Sequence, residues 1–151
     1  MNGHGLAEHR LGEALRGRPR DEYVLSTKVG RLLKPVHDGN ITSPFWVNMP
    51  PFEIVHDYSY DAVMRSFEDS LQRMGQSRFD ILFIHDIDVY TRGSEQPEVF
   101  RQAMDGCYKA LARLRDDKMV KAIGVGVNEW QVCHEALKQR DFGPAVFAAG
   151  V

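Results

Sequence analysis

The chain has 151 residues and is 43% hydrophobic, which is enough for one domain with a buried core. Its 19 basic and 21 acidic side chains nearly cancel, and this balance argues against a nucleic-acid or anionic-membrane partner. Its apolar runs fall short of the roughly 20 residues that cross a bilayer, and its first residues lack the features of a signal peptide. The two cysteines, Cys107 and Cys133, form no Cys-x-x-Cys pair, so we predict buried, reduced thiols in a cytoplasmic protein.

Helix and strand patterns alternate along the chain. In order, the sequence predicts a helix over 6–15, a strand over 23–29, an irregular proline-containing stretch to residue 58, a helix over 60–74, a strand over 79–85, a helix over 98–118, a strand over 120–127, a helix from residue 129 and a strand over 145–151. Ser59 is the predicted N-cap of the second helix, and Gly75 is its predicted end.

This alternation indicates a parallel sheet with right-handed crossovers. An open doubly wound sheet would fit the length, but no Gly-x-Gly-x-x-Gly turn joins a strand to a helix. The last strand is apolar on both faces and therefore requires a neighbouring strand and covering helices. We predict an α/β fold over residues 1–151, a single partial (β/α)8 TIM barrel with about four parallel strands and flanking helices.

Two reactive side chains stand at the ends of predicted strands. Lys28 closes the first strand and His85 closes the second. Active-site residues of strand–helix barrels lie at the C-terminal ends of strands, so this placement indicates an active-site rim. A surface lysine and a structural histidine are the alternatives.

A metal-dependent hydrolase is a further interpretation of the same region. His85, Asp86 and Asp88 carry atoms that bind metals. However, alternation along an extended segment would point these side chains in different directions, and no second histidine cluster accompanies them. We therefore predict no metal site.

Four segments resemble the aldo-keto reductases, which are NAD(P)-dependent (β/α)8 barrels. They are Gly-His-Gly-Leu-Ala-Glu at 3–8, Ser-Thr-Lys-Val-Gly at 26–30, Phe-Asp-Ile-Leu-Phe-Ile-His at 79–85 and Lys-Ala-Ile-Gly-Val-Gly-Val-Asn at 121–128. Together with the helix entry Tyr-Ser-Tyr-Asp at 58–61, they are most similar to the sugar-oxidising branch of D-threo-aldose 1-dehydrogenases and L-fucose dehydrogenases. The resemblance covers nearly the whole chain but only the middle of the family's barrel, without its first strands and its C-terminal cofactor-binding part.

The resemblance implies half of a catalytic tetrad. The family uses Asp, Tyr, Lys and His; Lys28 matches the lysine and His85 matches the histidine. Asn2 stands at the position of the family tyrosine, and an amide cannot act as a phenolic acid. The aspartate would precede Met1.

The resemblance also implies NAD or NADP as cofactor. The family binds the nicotinamide carboxamide after its fifth strand, which here corresponds to Gly126 with Asn128 close by. Asn128 also fits a capping box with Gln131, and the two roles can coexist. In the long loop after Lys28, aromatic side chains would either line a site for a small sugar or aldehyde or form a lid that packs on its own barrel; they are Phe45, Trp46 and Phe52.

We therefore expect an oxidoreductase that transfers a hydride between a nicotinamide cofactor and an aldose, aldehyde or alcohol, with the isolated chain inactive. The alternative is a non-catalytic half-barrel interaction module that pairs through its open barrel edges with another chain or, as a homo-oligomer, with a copy of itself, because unpaired strand edges favour association.

Overall fold

The computed structural model describes residues 3–143 and 146–149. The strands are β1 Ser26–Val29, β2 Arg31–Pro35, β3 Phe52–His56, β4 Ile81–His85, β5 Ala122–Val127 and β6 Val146–Ala149. The α-helices are α1 Leu6–Leu15, α2 Tyr60–Met74, α3 Val89–Arg92, α4 Gln96–Gln102, α5 Tyr108–Asp116 and α6 Trp130–Gln139. A π-helical turn over Ala103–Cys107 joins α4 to α5 without a break, so the helix predicted over 98–118 is present as one continuous helical run from Gln96 to Asp116.

Four strands form one parallel sheet in the order β1-β4-β5-β6. Within this sheet, at least one helix lies between each strand and the next along the chain. This alternation is the arrangement of a (β/α)8 barrel, of which the sheet has four strands. The predicted partial barrel is therefore confirmed. The predicted last strand is present over Val146–Ala149, and its other residues lie outside the described ones.

The two faces of this sheet have different surroundings. Lys28 pairs with Phe83, and His85 pairs with Gly126, so these four residues share one face. Side chains of the opposite face pack against α2, α5 and α6 in a single apolar cluster that includes Val29, Leu82, Ile84, Ile123, Val125, Val63, Phe67 and Leu111. Cys107 and Cys133 are free thiols buried in that cluster, as predicted, and burial raises the pKa of Cys107.

Helix α2 begins and ends where the sequence predicts. The Ser59 hydroxyl accepts a hydrogen bond from the Ala62 N–H at 3.4 Å, and Gly75 ends the helix in the left-handed conformation. Helix α1 is fixed by Glu8, a buried carboxylate that accepts hydrogen bonds from Thr27 on β1 and from Arg73 on α2, each at 2.6 Å. Glu8 thereby holds α1 in place against both β1 and α2.

The irregular stretch predicted after Lys28 instead contains an antiparallel hairpin of β2 and β3. Its prolines lie at or beyond the strand ends, where a missing N–H is tolerated: Pro35 is the last residue of β2, and Pro51 precedes β3. Both strands are only partly buried and show no clean apolar alternation, which is the reason the sequence pattern did not reveal them.

The end of the sheet opposite Lys28 and His85 is organised by Asp80, which is 2% exposed. Its carboxylate accepts hydrogen bonds from the Leu25 N–H at 2.8 Å and from Arg20 at 2.6 Å, and Lys121 Nζ lies 2.9 Å away. Burial by itself would raise the pKa of Asp80, but these donors hold it well below its usual range. Asp80 therefore remains charged and ties the starts of three strands together.

Candidate active site

Lys28 and His85 lie at the C-terminal ends of the neighbouring strands β1 and β4, as the sequence predicts, and the pairing of these strands places them on the same face of the sheet. Gly126 on β5 adjoins both: a Cβ placed on it would lie 3.6 Å from Lys28 Cε and 3.5 Å from Phe83 Cβ. Glycine therefore leaves a flat surface without a side chain directly beside the lysine.

His85 is 9% exposed, and its imidazole is surrounded by cationic groups. Burial, with the positive charges of Arg31, Lys28 and Arg92 adding to it, lowers the pKa of His85 to about 2. The ring is therefore neutral near pH 7, with one N–H donor and one acceptor nitrogen. Its Nδ1 is buried and makes no hydrogen bond with any described residue.

Asp86 follows His85 in the left-handed region, with φ of 52°. Its Oδ2 accepts a hydrogen bond from Arg31 Nη2, and its Oδ1 lies 3.3 Å from His85 Nε2. Burial raises the pKa of Asp86, while the Arg31 guanidinium opposes that rise. The ion pair of Arg31 and Asp86 therefore lies directly beside the His85 imidazole.

Tyr58 supports the backbone of His85 and was not recognised as a site residue from the sequence. It is 2% exposed, and its hydroxyl donates to the His85 carbonyl oxygen at 2.6 Å. Arg92 donates to the same hydroxyl at 2.5 Å and to the Asp86 carbonyl oxygen at 2.7 Å. Burial raises the pKa of Tyr58 to about 12. The only sequence signal was its position next to the N-cap Ser59, within the helix entry that carried part of the resemblance.

Asn128 is bound to the loop after β4 rather than to its own helix. Asp88 is buried and caps α3; its Oδ1 accepts from the Thr91 N–H at 3.1 Å, and its Oδ2 accepts from the Asn128 N–H. Burial alone would raise the pKa of Asp88, but the donors from Thr91 and Asn128 hold it below its usual range. The predicted capping box with Gln131 is wrong, because the N-cap of α6 is Glu129 and no side chain caps that end.

The three aromatic residues predicted to line a substrate site lie beside the start of α1. Phe45 is 84% exposed, and together with Trp46 it borders a cavity of about 180 Å³ against Gly3 and Leu6. Phe52 begins β3, and its carbonyl oxygen lies 2.6 Å from His4 Nδ1. Their role in substrate binding stays a prediction, and Asn2 lies outside the described residues.

Within residues 3–143 and 146–149, no three side chains of His, Cys, Asp or Glu are grouped so as to hold a metal ion. Asp86 and Asp88 instead bind Arg31, Thr91 and Asn128, so the metal-hydrolase interpretation gains no support. In the same part of the chain, no helix is both long and apolar enough to cross a membrane.

Comparison with known proteins agrees with this geometry. A family model described as "Aldo/keto reductase family" matches residues 3–150. Pyridoxal 4-dehydrogenase of Microbacterium luteolum is 40% identical over 98% of this chain and 46% of its own length. D-threo-aldose 1-dehydrogenase of a Pseudomonas species is 32% identical over 92% of this chain and 41% of its own length.

Solved structures show the same fold. An aldo-keto reductase from Bacillus halodurans in its holo form superposes with a TM-score of 0.57 at 22% identity, over 95% of this chain and 39% of that one. The glycerol dehydrogenase of Gluconobacter oxydans superposes with a TM-score of 0.60 at 19% identity, over 95% of this chain and 37% of that one. The chain thus spans less than half the length of each of these proteins, and the resemblance predicted from the sequence is confirmed.

Proposed function

The chain belongs to the aldo/keto reductase family, and on that premise we propose that it carries the lysine–histidine half of a nicotinamide-dependent oxidoreductase site. The reaction would move a hydride between NAD or NADP and an aldose, or between NAD or NADP and a small aldehyde or alcohol. The observation that supports this most directly is the shared face of Lys28 and His85 at the C-terminal ends of adjacent parallel strands.

The residues present fit the nicotinamide end of such a cofactor. Gly126 keeps the strand surface beside Lys28 free of a side chain, so a flat ring could lie against the backbone there. The Asn128 backbone is fixed one loop further on by Asp88. When bound, the cofactor supplies the hydride donor or acceptor, and the protein supplies position and electrostatics.

The two described site residues have separate tasks. Neutral His85 would donate a hydrogen bond to the substrate oxygen and orient it, and its low pKa keeps it from serving as a proton source near pH 7. The Lys28 ammonium would stabilise negative charge developing on that oxygen.

We propose that the described residues of this chain supply no general acid for the site. Asn2, at the position of the family tyrosine, has no proton to exchange near neutral pH. Tyr58 does not replace it, because its hydroxyl is committed to the His85 carbonyl oxygen and its pKa is about 12. We therefore propose that the chain alone has little or no turnover.

The substrate class follows from the relatives. One is named for pyridoxal and another for D-threo-aldoses. We propose a small polar aldehyde or a sugar oxidised at its anomeric hydroxyl, in a cytoplasmic setting.

The test is a fluorescence titration of the purified chain with NADH and NADPH, followed by assays with D-aldoses and pyridoxal. We expect weak cofactor binding that Gly126→Leu abolishes and Lys28→Met weakens, and no measurable turnover. Lys34→Met is the matched control, since Lys34 lies on the hairpin and pairs at the surface with Glu53. No binding by a folded sample would contradict a nicotinamide site in this chain, and turnover would contradict the need for the missing acid.

The open edges of the sheet support a second candidate, the half-barrel interaction module. Among the described strands, β1 pairs only with β4 and β6 pairs only with β5, so each has one free edge. Self-association through these edges would give a mass that rises with concentration in sedimentation equilibrium. A monodisperse monomer across the micromolar range would rule it out.

A further inference from the structure

The Asp86 carboxylate lies between Arg31 and His85, and its backbone is fixed on several sides. The Asp86 N–H donates to the Gly126 carbonyl oxygen at 3.0 Å. The Asp86 carbonyl oxygen accepts from Arg92 Nε at 2.7 Å, and the Tyr58 hydroxyl oxygen lies 3.1 Å from it. These bonds set the left-handed conformation of Asp86 and so aim its side chain.

Arg31 is anchored on a different part of the fold. It is the first residue of β2, where it pairs with His56 on the hairpin, and its carbonyl oxygen accepts from the Ser66 hydroxyl of α2 at 3.1 Å. Its guanidinium donates to Asp86 Oδ2, and both side chains are largely buried. The Asp86 carboxylate is therefore held by Arg31 of the hairpin, while the Asp86 backbone is held by its own hydrogen bonds.

The two imidazole nitrogens of His85 have different surroundings. Nε2 faces Asp86 Oδ1 at 3.3 Å, whereas Nδ1 is buried without a hydrogen-bond partner among the described residues. A proton on Nδ1 would leave a buried donor unsatisfied and would place the Nε2 lone pair against a carboxylate. Both effects favour the tautomer that is protonated on Nε2.

We infer that Arg31 and Asp86 are positioning residues that fix His85 in the tautomer protonated on Nε2, with that N–H available to the substrate oxygen. The 3.3 Å contact is long for an N–H···O hydrogen bond, so the N–H retains capacity for a second acceptor. The other charged groups around the ring, Lys28 and Arg92, are cations and supply no competing acceptor. The catalytic part of this inference rests on the proposed function; the tautomer itself does not.

The test is the 15N chemical shift of both His85 ring nitrogens in the purified chain, which reports where the proton lies without requiring turnover. We expect the proton on Nε2 in the unmodified protein. Asp86→Asn suits the left-handed backbone, since asparagine adopts it readily. Arg31 would hold the amide oxygen of that asparagine, so its NH2 group would face Nε2 and move the tautomer ratio by about tenfold toward Nδ1–H.

Arg31→Lys keeps a cation for the carboxylate and should preserve the tautomer, whereas Arg31→Gln removes the guanidinium that holds Asp86 Oδ2, so the carboxylate can turn away from Nε2 and the preference for Nε2–H should weaken. Glu98→Gln is the matched control, because it removes an exposed carboxylate that pairs with Arg101 on the same helix. If Asp86→Asn fails to fold, Asp86→Ala removes the acceptor facing Nε2 and should likewise weaken the preference for Nε2–H.

A proton on Nδ1 in the unmodified chain, or unchanged ring shifts in folded Asp86→Asn, would overturn the inference. If the chain binds no cofactor while the shifts behave as expected, the proposed function fails and the positioning role of the pair stands.

Discussion

Replacing Asp80 with asparagine should remove one of the largest single contributions to the stability of the fold. Asparagine keeps an acceptor for the Leu25 N–H but leaves the Arg20 guanidinium without its carboxylate in a largely buried setting. Breaking a buried ion pair from one side costs about 3–5 kcal/mol, and the retained acceptor places Asp80→Asn near 3 kcal/mol. Lys121 is mostly exposed and adds little to this figure.

The assay is urea unfolding followed by circular dichroism at pH 7 and at pH 3. With an m-value of about 2 kcal/mol per molar, the midpoint of Asp80→Asn should fall by about 1.5 M at pH 7. The folded pKa of Asp80 is depressed, so its stabilisation is complete above the unfolded value of about 4 and is lost as the pH falls through the folded pKa. The difference between the two proteins should therefore narrow at pH 3.

Asp105→Asn is the control, because Asp105 pairs with Arg140 at the surface and should change stability by less than about 0.5 kcal/mol. If Asp80→Asn matched this control at pH 7, the assignment of Asp80 as the tie between the strand starts would be refuted.

Three further predictions concern the residues around His85. Gly30→Ala should lower the free energy of unfolding by about 3 kcal/mol or more in the same urea assay, because the new Cβ would lie 2.4 Å from the Tyr58 ring. Gly39→Ala is the control: Gly39 also has a positive φ, but nothing lies within 4 Å of its Cβ position, so only the smaller backbone strain should appear. Tyr58→Phe should cost about 1–2 kcal/mol, since it removes the donor to His85 and an acceptor for Arg92, and an unchanged midpoint would refute the supporting role of the hydroxyl. His85 is neutral in the folded state with its pKa lowered to about 2, so its stabilisation is present above the unfolded pKa of about 6.5 and is lost as the pH falls. Lowering the pH from 7 to 5 should cost about 2 kcal/mol through His85, in addition to the loss through His56, whose pKa is also lowered by burial. His85→Gln should remove the His85 share of this slope in the urea assay, and an unchanged slope would contradict a buried, neutral His85.

The elements that could be predicted from the sequence are those whose signals are local. Helix α2 shows an apolar stripe bounded by Ser59 and Gly75, and its observed ends agree with both. Lys28 and His85 are recognisable because each closes an apolar strand. In each case the evidence lies within a few residues of the feature.

The parts that could not be predicted depend on contacts between distant segments. The hairpin of β2 and β3 lacks an apolar alternation because neither of its faces is fully buried. Tyr58 acts on a carbonyl 27 residues away, and Arg31 pairs with a carboxylate 55 residues away. Asn128 matched a capping pattern, but a buried aspartate from another loop bound its N–H instead.

The order of the sheet has a consequence for how the chain is made. The strands of the parallel sheet lie side by side in the same order in which they leave the ribosome, β1 first and β6 last. Each new strand therefore needs only the strand synthesised before it, together with the helix between them, to find its place. During translation, each strand can therefore be added beside the strand made before it, and the strands already paired need not separate.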